Sequence, residues 1–149
     1  MAISASGLYV STFIDVLDTT QLALDLDLDT HKVALFTDSV SPNFSSDTAY
    51  GVSPYNANEV SGTGYTSGGA TLTGTALSDV SGTLKWDADD VSWTSSTISN
   101  AKGALIYADA LSGNNAIVLV NLGSNYSTSA GTLLISWHAN GIFTIDLTP

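Results

Sequence analysis

Apolar and polar residues alternate with a period of two along much of this chain. Leu22, Leu24, Leu26 and Leu28 are interleaved with Ala23, Asp25, Asp27 and Asp29. Alternate residues of a strand lie on opposite faces, so the pattern predicts a strand over 22–30 with leucines inward and aspartates outward. Residues 29–31 read as a turn, and 32–37 as a buried strand. Further strands are predicted at 70–76, 83–86 and 91–93. The apolar runs 104–108 and 116–121 flank Gly113-Asn114-Asn115, a hairpin signal. Residues 132–137 and 142–147 flank Asn140-Gly141 and predict a second hairpin. Helical spacing occurs once, at 4–17, where Tyr9, Phe13 and Val16 or Leu17 share a face. Gly7 and the β-branched residues weaken it. The expectation is a short helix or docking arm within residues 1–18, ending near Asp18-Thr19-Thr20. Short strands at regular spacing with little helix predict an all-β fold, mainly an antiparallel β-sandwich or barrel-like, with one short N-terminal helix or arm. Its 149 residues suit a single domain.

One stretch breaks the pattern. Residues 38–59 hold Pro42, Pro54 and the aromatics Phe44, Tyr50 and Tyr55. Connections of this length are uncommon and are usually functional, so this one is read as interfacial. A glycine-rich turn cluster, 61–69, follows it.

Composition sharpens the picture. Ser, Thr and Gly supply 52 of the 149 residues, and charged side chains only 11%, against a usual ~25%. Such a surface is either solvated by hydroxyls and acids or covered by partner subunits. Fourteen acids face three lysines and no arginine, for a net charge of −11. A chain without arginine builds no bidentate phosphate clamp and repels a polyanion, so nucleic acid is not an expected partner. The absence of cysteine excludes disulfides, thiol catalysis and cysteine zinc sites. No apolar run approaches ~18 residues, so no membrane partner is expected. The first residues carry no basic group, which predicts no secretory leader.

Candidate chemistry is thin. Asp25, Asp27 and Asp29 could pinch a calcium ion only with outside ligands, because calcium takes six to eight oxygens. Asp87, Asp89 and Asp90 lack the glycine and distal glutamate of a calcium loop. Both groups read as solvated acidic edges, which also discourage edge-to-edge pairing. Residues 62–69, GTGYTSGG, lack the lysine of a phosphate-binding loop and read as a turn needing positive φ. His31 and His138 have no G-x-S-x-G nucleophile elbow to serve. Glu59 is the lone glutamate, which leaves little for a pair of glycosidase carboxylates. Trp86, Trp93 and Trp137 lie in or beside predicted strands. They read as core or interface packing, with a sugar-stacking platform as the competing reading. No catalytic residue, cofactor or metal is expected.

Several phrases together resemble small virion proteins of tailed bacteriophages. Residues 24–38, LDLDLDTHKVALFTD, resemble the strand, DT turn and K-V-A-L-x-T opening of that family. Residues 58–72 resemble its E-V-x-G-x-G-Y-x-x-G-G-x-x-L segment. Residues 89–93 with 101–107 resemble D-D-V-x-W followed by A-(K/R)-G-A-x-I-Y, and 141–147 the terminal strand. The match runs in order from about residue 8 to 147. It implies a non-enzymatic part of the phage particle, foremost a capsid decoration (cement) protein. The implied partners are the major capsid protein and copies of itself, as a homotrimer. The implied location is the capsid surface, after synthesis in the host cytoplasm. Tail, collar or fibre protein is the alternative role, and a carbohydrate-binding adhesion module the alternative class. Tyr9 and Phe13 in the arm, with Phe44, Tyr50 and Tyr55 in the long loop, are the expected interface residues.

Overall fold

The three longest apolar runs become neighbouring strands, because each can bury both of its faces only in the middle of a sheet. In the computed structural model, which describes residues 2–19 and 21–148, β1 (Gly7–Leu8) leads into α1 (Val10–Leu17). There follow β2 (His31–Phe36), β3 (Ala70–Leu72), β4 (Ala76–Val80), β5 (Thr83–Asp87) and β6 (Val91–Ser96). The chain ends with β7 (Ala101–Tyr107), β8 (Ala116–Tyr126), β9 (Gly131–Ile135) and β10 (Phe143–Asp146). The main sheet has the order β1-β8-β7-β2-β3. A three-stranded sheet runs β10-β5-β4, and β6 pairs with β9. All pairings are antiparallel. The protein is therefore all-β with one short helix.

The main sheet is covered on both sides. Val33 and Leu35 of β2, with Ala104 and Ile106 of β7, face a core shared with Trp86 of β5, Trp93 of β6 and Leu133 of β9. Ala34, Phe36, Leu105 and Tyr107 face the other way, onto Ile3, Tyr9, Val40 and Tyr55. The N-terminal segment and the long loop thus form the second cover. Burial on both faces is why these strands read as continuous apolar runs rather than alternating ones. A register shift beside Ile106–Tyr107 sends the consecutive residues Ile117 and Val118 of β8 into the same core, the usual effect of a β-bulge.

The hairpin predicted around Gly113-Asn114-Asn115 is β7–β8. Four other expectations need correction. Residues 22–30 do not form a strand. The Asp25 carboxylate accepts the backbone N–H groups of Asp27 and Leu28, at 2.9 and 3.0 Å, and the Asp29 carboxylate accepts that of Asp25. Aspartates offering such local acceptors compete with a sheet ladder and win here. The leucine alternation still points Leu24 and Leu26 toward the core, whereas Leu28 is 86% exposed. Second, 70–76 splits into β3 and β4 in different sheets at Gly74, which has φ +64°.

Third, the strands flanking Asn140-Gly141 turn but do not pair. β9 joins β6, and β10 joins β5. Gly141 donates to the His138 carbonyl and Ile142 to that of Trp86, both at 2.7 Å, which steers the chain into the second layer. Gly141 has φ +86°, and a Cβ there would sit 2.4 Å from the Trp86 carbonyl oxygen, so only glycine fits. Fourth, the helix begins at Val10 rather than Ser4, because Gly7 and Leu8 pair with β8. Met1 of the predicted arm and Thr20 of the predicted helix end lie outside the described residues.

Candidate functional site

The aromatics expected at an interface are placed first by the elements that carry them. Tyr9 precedes α1 and is fully buried. Its ring meets Phe44 at 5.4 Å and Tyr55 at 5.9 Å, and the Tyr9 and Tyr55 hydroxyls hydrogen-bond to each other. Burial pushes both phenols up, Tyr55 to about 12 and Tyr9 further. Tyr55 also stands edge-on to Phe36 of β2 at 5.1 Å. Tyr50 stacks flat on Tyr107 of β7 at 4.4 Å. Phe13 lies on the other side, edge-on to Phe143 of β10 at 6.1 Å. The structure thus gathers Tyr9, Phe44, Tyr50 and Tyr55 into one cluster that clamps the long loop to the main sheet. Tyr9 and Tyr55, at 0% and 2% exposed, offer no surface to a second molecule in this conformation.

The polar centre of the loop is Glu59. Residues 58–60 lie along β2, with Val60 donating to the Leu35 carbonyl at 2.9 Å. This turns the Glu59 carboxylate onto the glycine-rich turn. It accepts four hydrogen bonds: from the Tyr65 hydroxyl and Gly68 N–H at 2.7 Å, the Ser67 hydroxyl at 2.8 Å and the Tyr50 hydroxyl at 2.9 Å. Tyr65 in turn accepts the Leu35 N–H at 2.9 Å. Burial and the Glu59 carboxylate raise the Tyr65 phenol. All acceptor capacity of Glu59 is engaged in holding the loop, which leaves little for acid–base work.

His31, at the start of β2, is fully buried and edge-on to Trp86 at 5.5 Å. Its Nε2 donates to the Asp25 carbonyl at 3.0 Å, while Nδ1 has no hydrogen-bond partner among the described residues. Burial lowers its pKa. Trp86 Nε1 donates to the Leu26 carbonyl at 2.8 Å, so these two rings fasten the 22–29 segment. Asp89 and Asp90 serve Trp137: the Asp89 carbonyl accepts its indole N–H at 2.9 Å, and the Asp90 carboxylate its backbone N–H at 3.0 Å. Among the described residues no three His, Asp or Glu side chains group as a metal site would require. No described helix is long and apolar enough to cross a membrane.

The exposed apolar surface was missed by the sequence reading. Val10, Ile14 and Leu17 of α1 are 48%, 55% and 84% exposed. Leu17, read as a candidate for the Tyr9–Phe13 face, instead joins Val10 and Ile14 at i, i+4, i+7 on the exposed side. A separate groove of about 630 Å³ opens between β8 and β9, where Tyr126 and Trp137 stand among Leu134, Thr132, Ser136 and His138. No family model, curated protein or solved structure matches the chain.

Proposed function

We propose that this protein is a non-enzymatic structural component of a tailed-phage particle, foremost a decoration protein on the outer face of the head. The observation that carries the reading is the surface. Only 17 ionisable acid and lysine side chains serve 149 residues, and large apolar side chains stand exposed on α1 and at Val80, Leu134 and Leu147. Those of α1 line one groove with Leu8 and Ile145, and monomeric surfaces seldom keep a large contiguous apolar patch without a partner. The ordered resemblance along residues 8–147 supports the same role. A β framework with its long loop clamped by Glu59 and four aromatics suits a cement function, because little conformational entropy remains to be lost on binding. The test is co-sedimentation with expanded heads of tailed phages, followed by heat challenge of particles with and without the protein. Binding with raised heat resistance is expected. No binding, or equal heat resistance, rejects the role.

A second reading, a glycan-binding module, is favoured by the β8–β9 groove. Tyr126 and Trp137 could stack on sugar rings there while the Thr132 and Ser136 hydroxyls bond to them. A glycan array separates the two readings. A signal lost in Trp137→Ala supports the second, and silence dismisses it.

A further inference from the structure

We infer that the outward face of α1 and the open inner face of the β10-β5-β4 sheet form one docking trough for a cationic amphipathic segment of a partner protein. Five of the eight residues of α1 are apolar, and the helix exposes an apolar stripe. Its two hydroxyl residues turn inward, Ser11 to the Asp47 carbonyl at 3.0 Å and Thr12 to the Ala116 carbonyl at 2.5 Å. Phe13 packs on Phe143. The stripe of Val10, Ile14 and Leu17 faces solvent, although the apolar stripe of a surface helix normally faces the core. Beside it lies a groove of about 520 Å³ whose far wall is Ile145 of β10. Phe13 also lines a groove of about 600 Å³ beside the 22–29 segment. Leu77 of β4 lines that one and a third, of about 460 Å³, against Leu84 and Leu147.

Charge decides the occupant. Asp18, Asp25, Asp29 and Asp79 line these grooves, and no lysine does. The three lysines are engaged elsewhere: Lys32 with Asp109 at 3.3 Å, Lys85 with Asp87 at 2.9 Å, and Lys102 with the Gly123 carbonyl at 2.9 Å. Asp15 also stands near the C-terminal end of α1, which has no basic residue in its last turn. The helix dipole is negative there and favours a cation. A second copy would bring the same aspartates and another charge of −11. A segment with an apolar stripe flanked by Lys or Arg fits both the floor and the rim.

The probe is a synthetic 18-residue leucine/lysine peptide patterned as an amphipathic helix. Its controls are a scrambled peptide of the same composition and a leucine/glutamate peptide of the same pattern. Titration calorimetry and amide chemical shifts are read on the full chain. Expected are saturable binding of the patterned lysine peptide, shifts confined to α1, residues 22–29 and the β10-β5-β4 sheet with Leu147, and weakening by added salt. Leu17→Ser, at a side chain 84% exposed, should leave the thermal midpoint unchanged and weaken binding at least tenfold when combined with Ile14→Ser. Equal binding of either control, shifts mapped elsewhere, full affinity in the double variant, or self-association through this face overturns the inference. The inference stands apart from the virion reading: peptide binding without head binding removes only that reading.

Discussion

Removing the Glu59 carboxylate should loosen the whole long loop, and the cost can be worked from its four partners. The Gly68 N–H is buried and the Tyr65 hydroxyl belongs to a half-buried ring, both 2.7 Å from Oε1. The Tyr50 and Ser67 hydroxyls, on Oε2, can turn to water. A buried donor left without an acceptor costs about 1–3 kcal/mol, and a re-solvated hydroxyl well under 1. Glu59→Ala should therefore destabilise by roughly 3–4 kcal/mol, a large part of a typical 5–15 kcal/mol. Glu59→Gln keeps the Oε1 acceptor, and its amide can donate to the rotatable Tyr50 and Ser67 hydroxyls. Its cost should stay near ~1 kcal/mol. Urea unfolding followed by tryptophan fluorescence reads both. With an m-value of about 1.5–2 kcal/mol/M, the alanine midpoint should fall by roughly 2 M and the glutamine midpoint by well under 1 M. Amide exchange at Gly68 should accelerate in the alanine variant before global unfolding does. An alanine cost below about 1 kcal/mol, or equal costs for the two variants, would show that the four bonds are not what clamps the loop.

Three further outcomes follow from single contacts. Gly69 has φ +78°, and a Cβ there would meet the Val33 carbonyl oxygen at 1.8 Å, so Gly69→Ala should lower the thermal midpoint by at least ~8 °C in calorimetry, the mark of a cost above ~2 kcal/mol. His31 has a lowered pKa, so the unfolded chain binds its proton first as pH falls. The His31 contribution to stability is thus present above about pH 6.5 and is lost below it until the folded-state pKa is passed, and the difference between wild-type and His31→Gln stability profiles should show that slope. Trp86→Phe leaves the buried packing largely filled but removes the donor to the Leu26 carbonyl, so it should cost about 1–3 kcal/mol and release residues 22–29 to proteolysis before global unfolding.

Where the sequence was legible, it was legible for a geometric reason. The apolar runs at 32–37, 104–108 and 116–121 fall in or overlap β2, β7 and β8, and the Gly113-Asn114-Asn115 turn joins the last two. Strand existence depends on local pattern, but strand partnership depends on layers, which a pattern does not carry. Hence the turn at Asn140-Gly141 was readable, yet β9 and β10 went to different sheets. The 22–30 segment shows the opposite case. Its alternation truthfully reported that Leu24 and Leu26 face the core, but the carboxylates of Asp25 and Asp29 capped the backbone locally and removed the ladder. Aromatic residues in a loop suggest contact, and the contact that Tyr50 and Tyr55 make is with the main sheet, while Phe13 of the arm meets β10. Glu59 reads in the sequence only as a lone glutamate, because its four donors, Tyr50 and three from the 65–68 turn, converge on it only after folding.

The charge pattern carries one consequence for assembly. The accessible surface is 7441 Å², near the value expected for a compact chain of 15.4 kDa, so the sparse charge reflects composition and not concealment. A trimer would bring together three chains of −11 each, so its contacts would have to lie away from the apolar surface flanked by Asp18, Asp25, Asp29 and Asp79, at exposed apolar side chains such as Leu134. Screening shortens the Debye length from about 30 Å at 0.01 M salt to about 3 Å at 1 M. Self-association through apolar contact should therefore strengthen as salt is raised, while capture of a cationic segment should weaken. Sedimentation velocity across that range reads the first, and peptide titration the second. Self-association that weakens with salt would mean that ion pairs hold the copies together, a role for which the three lysines, already engaged within their own chain, are poorly supplied.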